Sequence, residues 1–307
     1  MKALVVGAGA VGQVFGRHLA KGGAAVTFLV KPKYADMARS FTMYPLNGKG
    51  QDTFTGFDVI TTPTAGFDQV YITVDSTALP GEWLPELVRA TGDATLVFLQ
   101  PNLRDAEVID AVVPDRARVV IGAIGFLSYH APLPGETRFA EPGMAYWFPP
   151  GKSPFSGERA DAVVASLRAG KLPAKRVRDV RRQAAFPSAV LTTFVTALEA
   201  SGWSFGSLKA DLGARAAREA VRVTGHELGT STPITVRMAT RPLALRAIIG
   251  VAAKVVPVDL ETYMRVHFTK VSAQMHESLA TSVERGRAAG LPTGALEDLT
   301  RMLPAAR

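Results

Sequence analysis

Three glycines constrain this chain more than any other feature, within Gly7-Ala8-Gly9-Ala10-Val11-Gly12. They fit G-x-G-x-x-G, which is weak alone because glycine is common, but here the context supports it. Lys2–Val6 is a short valine-rich run, the pattern of a strand buried on both faces. Val11 to Gly22 reads as a helix, with Val14, Phe15, Leu19 and Ala20 at helical spacing. Ala25 to Val30 reads as a second strand. Strand, turn, helix, strand within about 30 residues is one βαβ unit. Gly7 makes the tight turn, Gly9 lets the backbone approach a pyrophosphate, and Gly12 lets helix and strand pack closely. The helix start then offers free N–H groups and a partial positive charge to a diphosphate. Gly7, Ala8, Gly9, Ala10, Val11 and Gly12 are therefore the expected cofactor cradle. A glycine turn with no ligand is the competing reading.

The end of the second strand gives the next cue. A carboxylate there bonds the ribose 2′-hydroxyl of NAD. This sequence has Val30-Lys31-Pro32-Lys33 instead. An ammonium attracts a 2′-phosphate, so Lys31 and Lys33 favour NADPH over NADH. Two ordinary solvated lysines are the alternative. Asp75 and Ser76 stand at the carboxyl end of a later strand, where α/β sheets bind ligands. Asp75 is placed among the cofactor contacts with Gln100, which ends the strand after it; a loop or helix cap is the plainer role for Asp75.

The 307 residues suit two domains of ordinary size. Gln69 to Val74, Ala94 to Leu99 and Val119 to Ile124 repeat the buried-strand pattern, with part of a helix over Pro85 to Ala90. Phe139 to Phe148 reads as the late, irregular part of the same sheet. Residues 149–158, rich in Pro, Gly and Ser, read as a surface connection, and a helix follows to about Ala169. Beyond about residue 180 long helical patterns take over: Ala184–Ser201, Leu208–Leu228, Pro242–Val255 and Asp259–Ala289. The expected fold class is α/β: a Rossmann-type parallel sheet over 1–178 and an all-helical domain over 179–307.

The chain has no cysteine, which excludes disulfides, thiolate metal sites and cysteine nucleophiles. No metal spacing is visible, so no metal is expected. Pro242 to Pro257 is interrupted by Arg246 and Lys254 and is shorter than the ~20 residues a bilayer needs. It reads as a core helix, and no membrane partner is expected. No signal segment precedes the first strand, so the expected location is cytoplasmic. The net charge is +8, but the arginines are scattered and no aromatic-basic module appears. An anionic small molecule is the simpler partner than nucleic acid.

The fingerprint, the basic residue after the second strand, the helical second half and Gly286-Arg287-Ala288-Ala289-Gly290-Leu291-Pro292-Thr293 together resemble the ketopantoate reductase family. The resemblance implies an NADPH-dependent reductase of a small 2-oxo acid, with substrate in the cleft between domains and a homodimer through the helical domain. The family's catalytic residues carry over poorly. Its lysine after the third parallel strand is replaced by Asp75-Ser76, and its Asn-Gly after the next strand by Pro101-Asn102. Anchored on Thr196-Ala197-Leu198, the family's catalytic lysine falls on Ala185 and its two asparagines on Ala189 and Thr193. Its late glutamate, counted back from Gly290, falls on Gln274. No lysine lies between Lys175 and Lys209. Hydride transfer to a ketone builds negative charge on oxygen, which a proton donor or cation must neutralise. Ketopantoate itself is therefore not the expected substrate.

A replacement donor is sought on Asp259–Ala289, where His267, Lys270, Gln274, Glu277 and Thr281 recur at three- and four-residue steps. If this face is functional, Lys270 or His267 is the general acid and Gln274 an orienting group. If not, it is a solvated surface. His130, read as a loop residue beyond the fifth strand, is a weaker candidate. Two functions stay open: an NADPH-dependent oxidoreductase of a small carbonyl or imine, and a non-catalytic NADPH-binding sensor or scaffold.

Overall fold

A computed structural model describes residues 1–48, 50–100 and 103–304. Pro101 and Asn102, which the resemblance sets against the family's Asn-Gly, lie outside the described residues. The chain divides into two compact units, Met1–Arg181 and Arg182 onward.

The first unit begins β1 (Lys2–Val6), α1 (Ala10–Lys21), β2 (Ala25–Leu29), β3 (Phe41–Pro45), β4 (Asp52–Phe54), β5 (Asp58–Ile60) and β6 (Gln69–Ile72). It continues α2 (Trp83–Ala90), β7 (Thr95–Phe98), α3 (Leu103–Val112), β8 (Val119–Gly122), β9 (Leu127–Ala131) and β10 (Gly143–Trp147). It ends with β11 (Ser153–Ser156), α4 (Ala160–Ala169) and β12 (Ala174–Arg176). The main sheet has the order β12-β11-β8-β7-β6-β1-β2-β5. β5, β2, β1, β6, β7 and β8 are parallel, and β11 joins β8 antiparallel.

The valine-rich strands follow from burial on both faces. Val5, Tyr71, Val97 and Val120 pack with Val14, Phe15 and Leu19 of α1 and Val163, Val164 and Leu167 of α4. The alternate residues Leu4, Val6, Val70, Ile72, Leu96 and Phe98 pack with Leu84 and Leu87 of α2 and Ile109 of α3. Period-2 alternation feeds two cores, so a one-residue slip would exchange them.

Two expectations are corrected here. Phe139 to Phe148 is not the end of the main sheet: β10 belongs to a separate sheet, β4-β3-β10-β9. Its Met43, Phe54, Met144 and Tyr146 pack in the same core as α1. Residues 149–158 are not merely a surface connection, because β11 lies within them and Phe155 is fully buried. Proline is tolerated at Pro154 beside this antiparallel pairing, where few ladder bonds form.

The second unit is helical. α5 (Val180–Glu199) runs in from the first unit, followed by α6 (Ala210–Glu227), α7 (Ile234–Ala239) and α8 (Pro242–Val255). Then come α9 (Leu260–Lys270), α10 (Ser272–Ala288) and α11 (Gly294–Arg301). Ala197, Ala216, Ala220, Leu279, Leu296 and Leu299 share its core. Asp259 caps α9 by accepting from the Thr262 amide at 2.7 Å. The expected single helix Asp259–Ala289 is broken at Val271, whose φ of −115° and ψ of 21° leave the helical region. No described helix is long and apolar enough to cross a membrane.

Candidate active site

The carboxyl ends of β1, β2, β5 and β6 open on one cavity of about 1130 Å³. Open α/β sheets bind ligands at this edge. Gly7, Ala8 and Gly9 line it, as do Lys31 and Lys33, so the structure brings the fingerprint and both lysines together.

The three glycines do different work. Gly7 has φ +95°, a left-handed turn that favours glycine. At Gly12 a Cβ would sit 2.1 Å from the Gly7 carbonyl oxygen and 2.8 Å from the Thr73 hydroxyl, so turn and helix touch through the missing side chain. At Gly9 a Cβ would meet nothing within 4 Å. The open side of Gly9 is therefore the side a phosphate can approach. Ala10 and Val11 open α1, whose first turn has no side-chain cap and no acidic residue. Their unbonded N–H groups and the helix dipole suit an anion. These features fit a dinucleotide diphosphate.

Thr73 escapes notice in the sequence. Its hydroxyl donates to the Val6 carbonyl at 2.8 Å, with the Gly7 carbonyl at 3.1 Å, and so ties β6 to the glycine turn. Trp83 escapes it too. Its indole N–H donates to the Ala78 carbonyl at 2.7 Å, and the ring joins Val74, Ala78, Pro32 and Met37 as an apolar lining fit for a flat base. The only signal of Trp83 in the sequence is an aromatic near the start of the helix that follows β6.

Lys31 and Lys33 are exposed, and neither has an ion-pair partner among the described residues. The Lys33 ammonium lies 5.0 Å from the centre of the Tyr34 ring. Asp75 stands beside the cavity but does not line it; its carboxylate accepts from the Thr77 hydroxyl. Gln100 is buried away from the lining. Its amide donates to the carbonyls of Ile72 at 3.2 Å and of Val74, clamping the end of β6. His130 is not a loop residue: it sits in β9 and lines the cavity.

In the helical unit the proposed donors part company. His267 and Lys270 lie on α9, and Gln274, Glu277 and Thr281 on α10 beyond the break at Val271. The expected continuous face is therefore two short ones. His267 stacks on Tyr263 with ring centres 5.2 Å apart and meets Phe268 edge-on at 4.8 Å. Burial, with help from the Lys270 charge, pushes its pKa down to about 4. A neutral imidazole at pH 7 is a poor proton donor, which leaves Lys270 as the better candidate. Lys270 is exposed in the last turn of α9, where a cation suits the helix dipole.

Ala185 is buried on α5, which holds no lysine. The Thr193 hydroxyl is turned back on its own helix, to the carbonyls of Ala189 and Val190, both at 3.0 Å. A His–carboxylate pair that the sequence does not advertise joins α10 to α5: His276 Nε2 lies 2.7 Å from Glu199.

Residues 3–152 match the family described as ketopantoate reductase PanE/ApbA. The whole chain shares its fold with solved ketopantoate reductases and a mandelate dehydrogenase. It is similar to the PanE/ApbA family ketopantoate reductase from Ralstonia eutropha JMP134, at 19% identity and TM-score 0.72, covering 98% of this chain and 97% of that one. It is similar to 2-dehydropantoate 2-reductase from Geobacter metallireducens GS-15, at 16% identity and TM-score 0.68, covering 99% of each chain. It is also similar to D-mandelate dehydrogenase, solved with NADH, at 13% identity and TM-score 0.68, covering 99% of this chain and 97% of that one. At these identities the likeness is one of fold. No curated protein sequence is a significant match.

Proposed function

We infer that this ketopantoate reductase-like chain is an NADPH-dependent oxidoreductase of a small carbonyl, 2-oxo acid-like or imine substrate other than ketopantoate. The observation that carries the reading is the cavity that joins the open side of Gly9 to two exposed lysines. NADPH when bound supplies the hydride. The chain's residues would hold it: the α1 amides on the diphosphate, Lys31 or Lys33 on the 2′-phosphate, and Val74, Ala78 and Trp83 on the base. Lys270 would neutralise the developing oxyanion and Gln274 would orient the substrate. A cytoplasmic location and a homodimer belong to the same reading.

The test is NADPH consumption with a panel of 2-oxo acids, aldehydes and imines. Turnover of any of them supports the oxidoreductase reading. One specific observation favours a second reading, a non-catalytic NADPH sensor or scaffold: α5 offers the buried Ala185 and no lysine. Tight NADPH binding without turnover across the panel would establish that reading instead.

Two substitutions separate the parts. Lys31→Ala with Lys33→Ala is expected to weaken NADPH about 10- to 100-fold, the scale of one or two charge-assisted hydrogen bonds, and to leave NADH nearly unchanged. Equal losses for both nucleotides in calorimetry would remove the lysines from 2′-phosphate recognition. Lys270→Ala is expected to lower kcat at least about tenfold while changing stability by under about 0.5 kcal/mol, because its side chain is exposed. Full activity in that variant would make α9 an ordinary solvated surface.

A further inference from the structure

Six of the ten large hydrophobic side chains exposed among the described residues fall on α7 and α8: Ile234, Met238, Leu243, Ile248, Val251 and Val255. Leu243 is 81% exposed, Val251 62% and Val255 58%. With Ala247 they stand four residues apart, so they share one side of α8. Leu245 is the one fully buried side chain of this helix. A helix that is apolar all round is ordinarily covered on all sides. This one has an apolar side left open.

The charge around it has one sign. Residues 228–258 contain no aspartate or glutamate and four basic residues, Arg237, Arg241, Arg246 and Lys254. All four are exposed, and none has an ion-pair partner among the described residues. Elsewhere in this unit Arg285 is matched with Glu227, Arg287 with Glu297 and Arg301 with Asp298, while Arg215, Arg222 and Arg265 stand exposed without an ion pair among the described residues; what sets residues 228–258 apart is that they hold no carboxylate at all. Exposed aliphatic side chains flanked by unmatched cations complement a surface that offers both acyl chains and phosphates.

We propose that α7 and α8 form a docking surface for an anionic lipid bilayer, on which the protein lies without spanning it. A symmetric contact with a second copy would bring eight unmatched cations together, with no carboxylate in the segment to neutralise them. A protein partner is less suited, because residues 228–258 contain no Trp, Tyr or Phe and so offer, of the three residue types enriched in protein hot spots, only arginine. The expectation that Pro242 to Pro257 is a core helix is corrected by the structure, since Leu245 is the one buried residue of α8; the segment is too short to span a bilayer, and on this proposal its open side lies on one.

The test is co-sedimentation of the full chain with phosphatidylcholine vesicles, with and without phosphatidylglycerol. Binding is expected only with phosphatidylglycerol, falling as salt rises. Leu243→Glu with Val251→Glu should abolish it. Arg246→Gln with Lys254→Gln should weaken it roughly 30-fold, from about fivefold per basic residue. These side chains are exposed, so melting curves should not move; if the glutamate pair unfolds the chain, the glutamine pair carries the test. Absence of a phosphatidylglycerol preference overturns the proposal. So does a dimer in sedimentation that the glutamate pair splits, since the surface would then be closed by a second copy. The experiment involves no nucleotide, so its outcome is independent of the cofactor site.

Discussion

Gly9→Asp is expected to abolish NADPH binding while leaving the fold as stable as the parent, or slightly more stable. Gly9 is the N-cap of α1, with φ −76° and ψ −171°, a conformation aspartate adopts without strain. Aspartate is a better N-cap than glycine by a few tenths of a kcal/mol, and its charge suits the helix N-terminus. No protein atom lies within 4 Å of the added Cβ, so the packing does not object. The bound diphosphate does. Like charges about 4 Å apart cost about 4 kcal/mol at an effective dielectric of 20, or about a thousandfold in affinity. Gly12→Ala should behave in the opposite way. Its Cβ would sit 2.1 Å from the Gly7 carbonyl oxygen, so helix and turn must separate. Overpacking of this kind costs about 1–3 kcal/mol, and a shifted turn also spoils the cradle. Calorimetry with NADPH and thermal melts of both variants check the pair. Binding retained in Gly9→Asp, or an unchanged melt in Gly12→Ala, would contradict the roles assigned to these glycines.

Folding stability is expected to fall by about 2–3 kcal/mol between pH 7.5 and pH 4.5 because of His18 alone. This residue of α1 is 6% exposed. Its Nδ1 donates to the Gly170 carbonyl at 2.8 Å, and the ring meets Tyr146 and Phe148 edge-on at 5.6 and 5.2 Å. Its Nε2 is buried with no hydrogen-bond partner among the described residues, an arrangement that suits the neutral ring. Burial pushes the pKa down from 6.5 to about 4, against the opposing pull of the Gly170 bond. Between those values the unfolded chain binds the proton and the folded chain does not. The stability is therefore complete above pH 6.5 and is lost as pH falls towards 4. His267 is shifted the same way, to about 4, and adds its own loss over the same pH range. Urea denaturation of the parent and His18→Asn isolates the effect, since asparagine can keep a bond to Gly170 without titrating. If both proteins lose equal stability on acidification, His18 is not the cause. The consequence reaches the site, because His18 anchors the helix whose first turn forms the cradle.

The glycine turn is legible in the sequence because its constraints are local. A glycine turn between a buried strand and a helix leaves the chain little choice, and Gly7, Gly9 and Gly12 each have the geometry their spacing implies. What was not legible depends on distant pairing. β11 hides behind Pro149, Pro150, Gly151 and Pro154, which read as a loop until β8 supplies a partner. The small sheet joins Tyr44 to Ala145, about a hundred residues apart, and no local period reports that. The break at Val271 has neither proline nor glycine to mark it, and apolar spacing runs through it, so one long helix was the natural reading. The apolar side chains of the cavity come from several separate segments, so Trp83 gains its place only once the sheet is assembled.

The most direct measurement is a structure of crystals grown in excess NADPH. The expected result places the diphosphate on the amides of Ala10 to Gly12, over Gly9, with the 2′-phosphate within hydrogen-bond reach of Lys31 or Lys33. An empty cradle, or NADPH bound away from the edge formed by β1, β2, β5 and β6, would contradict it.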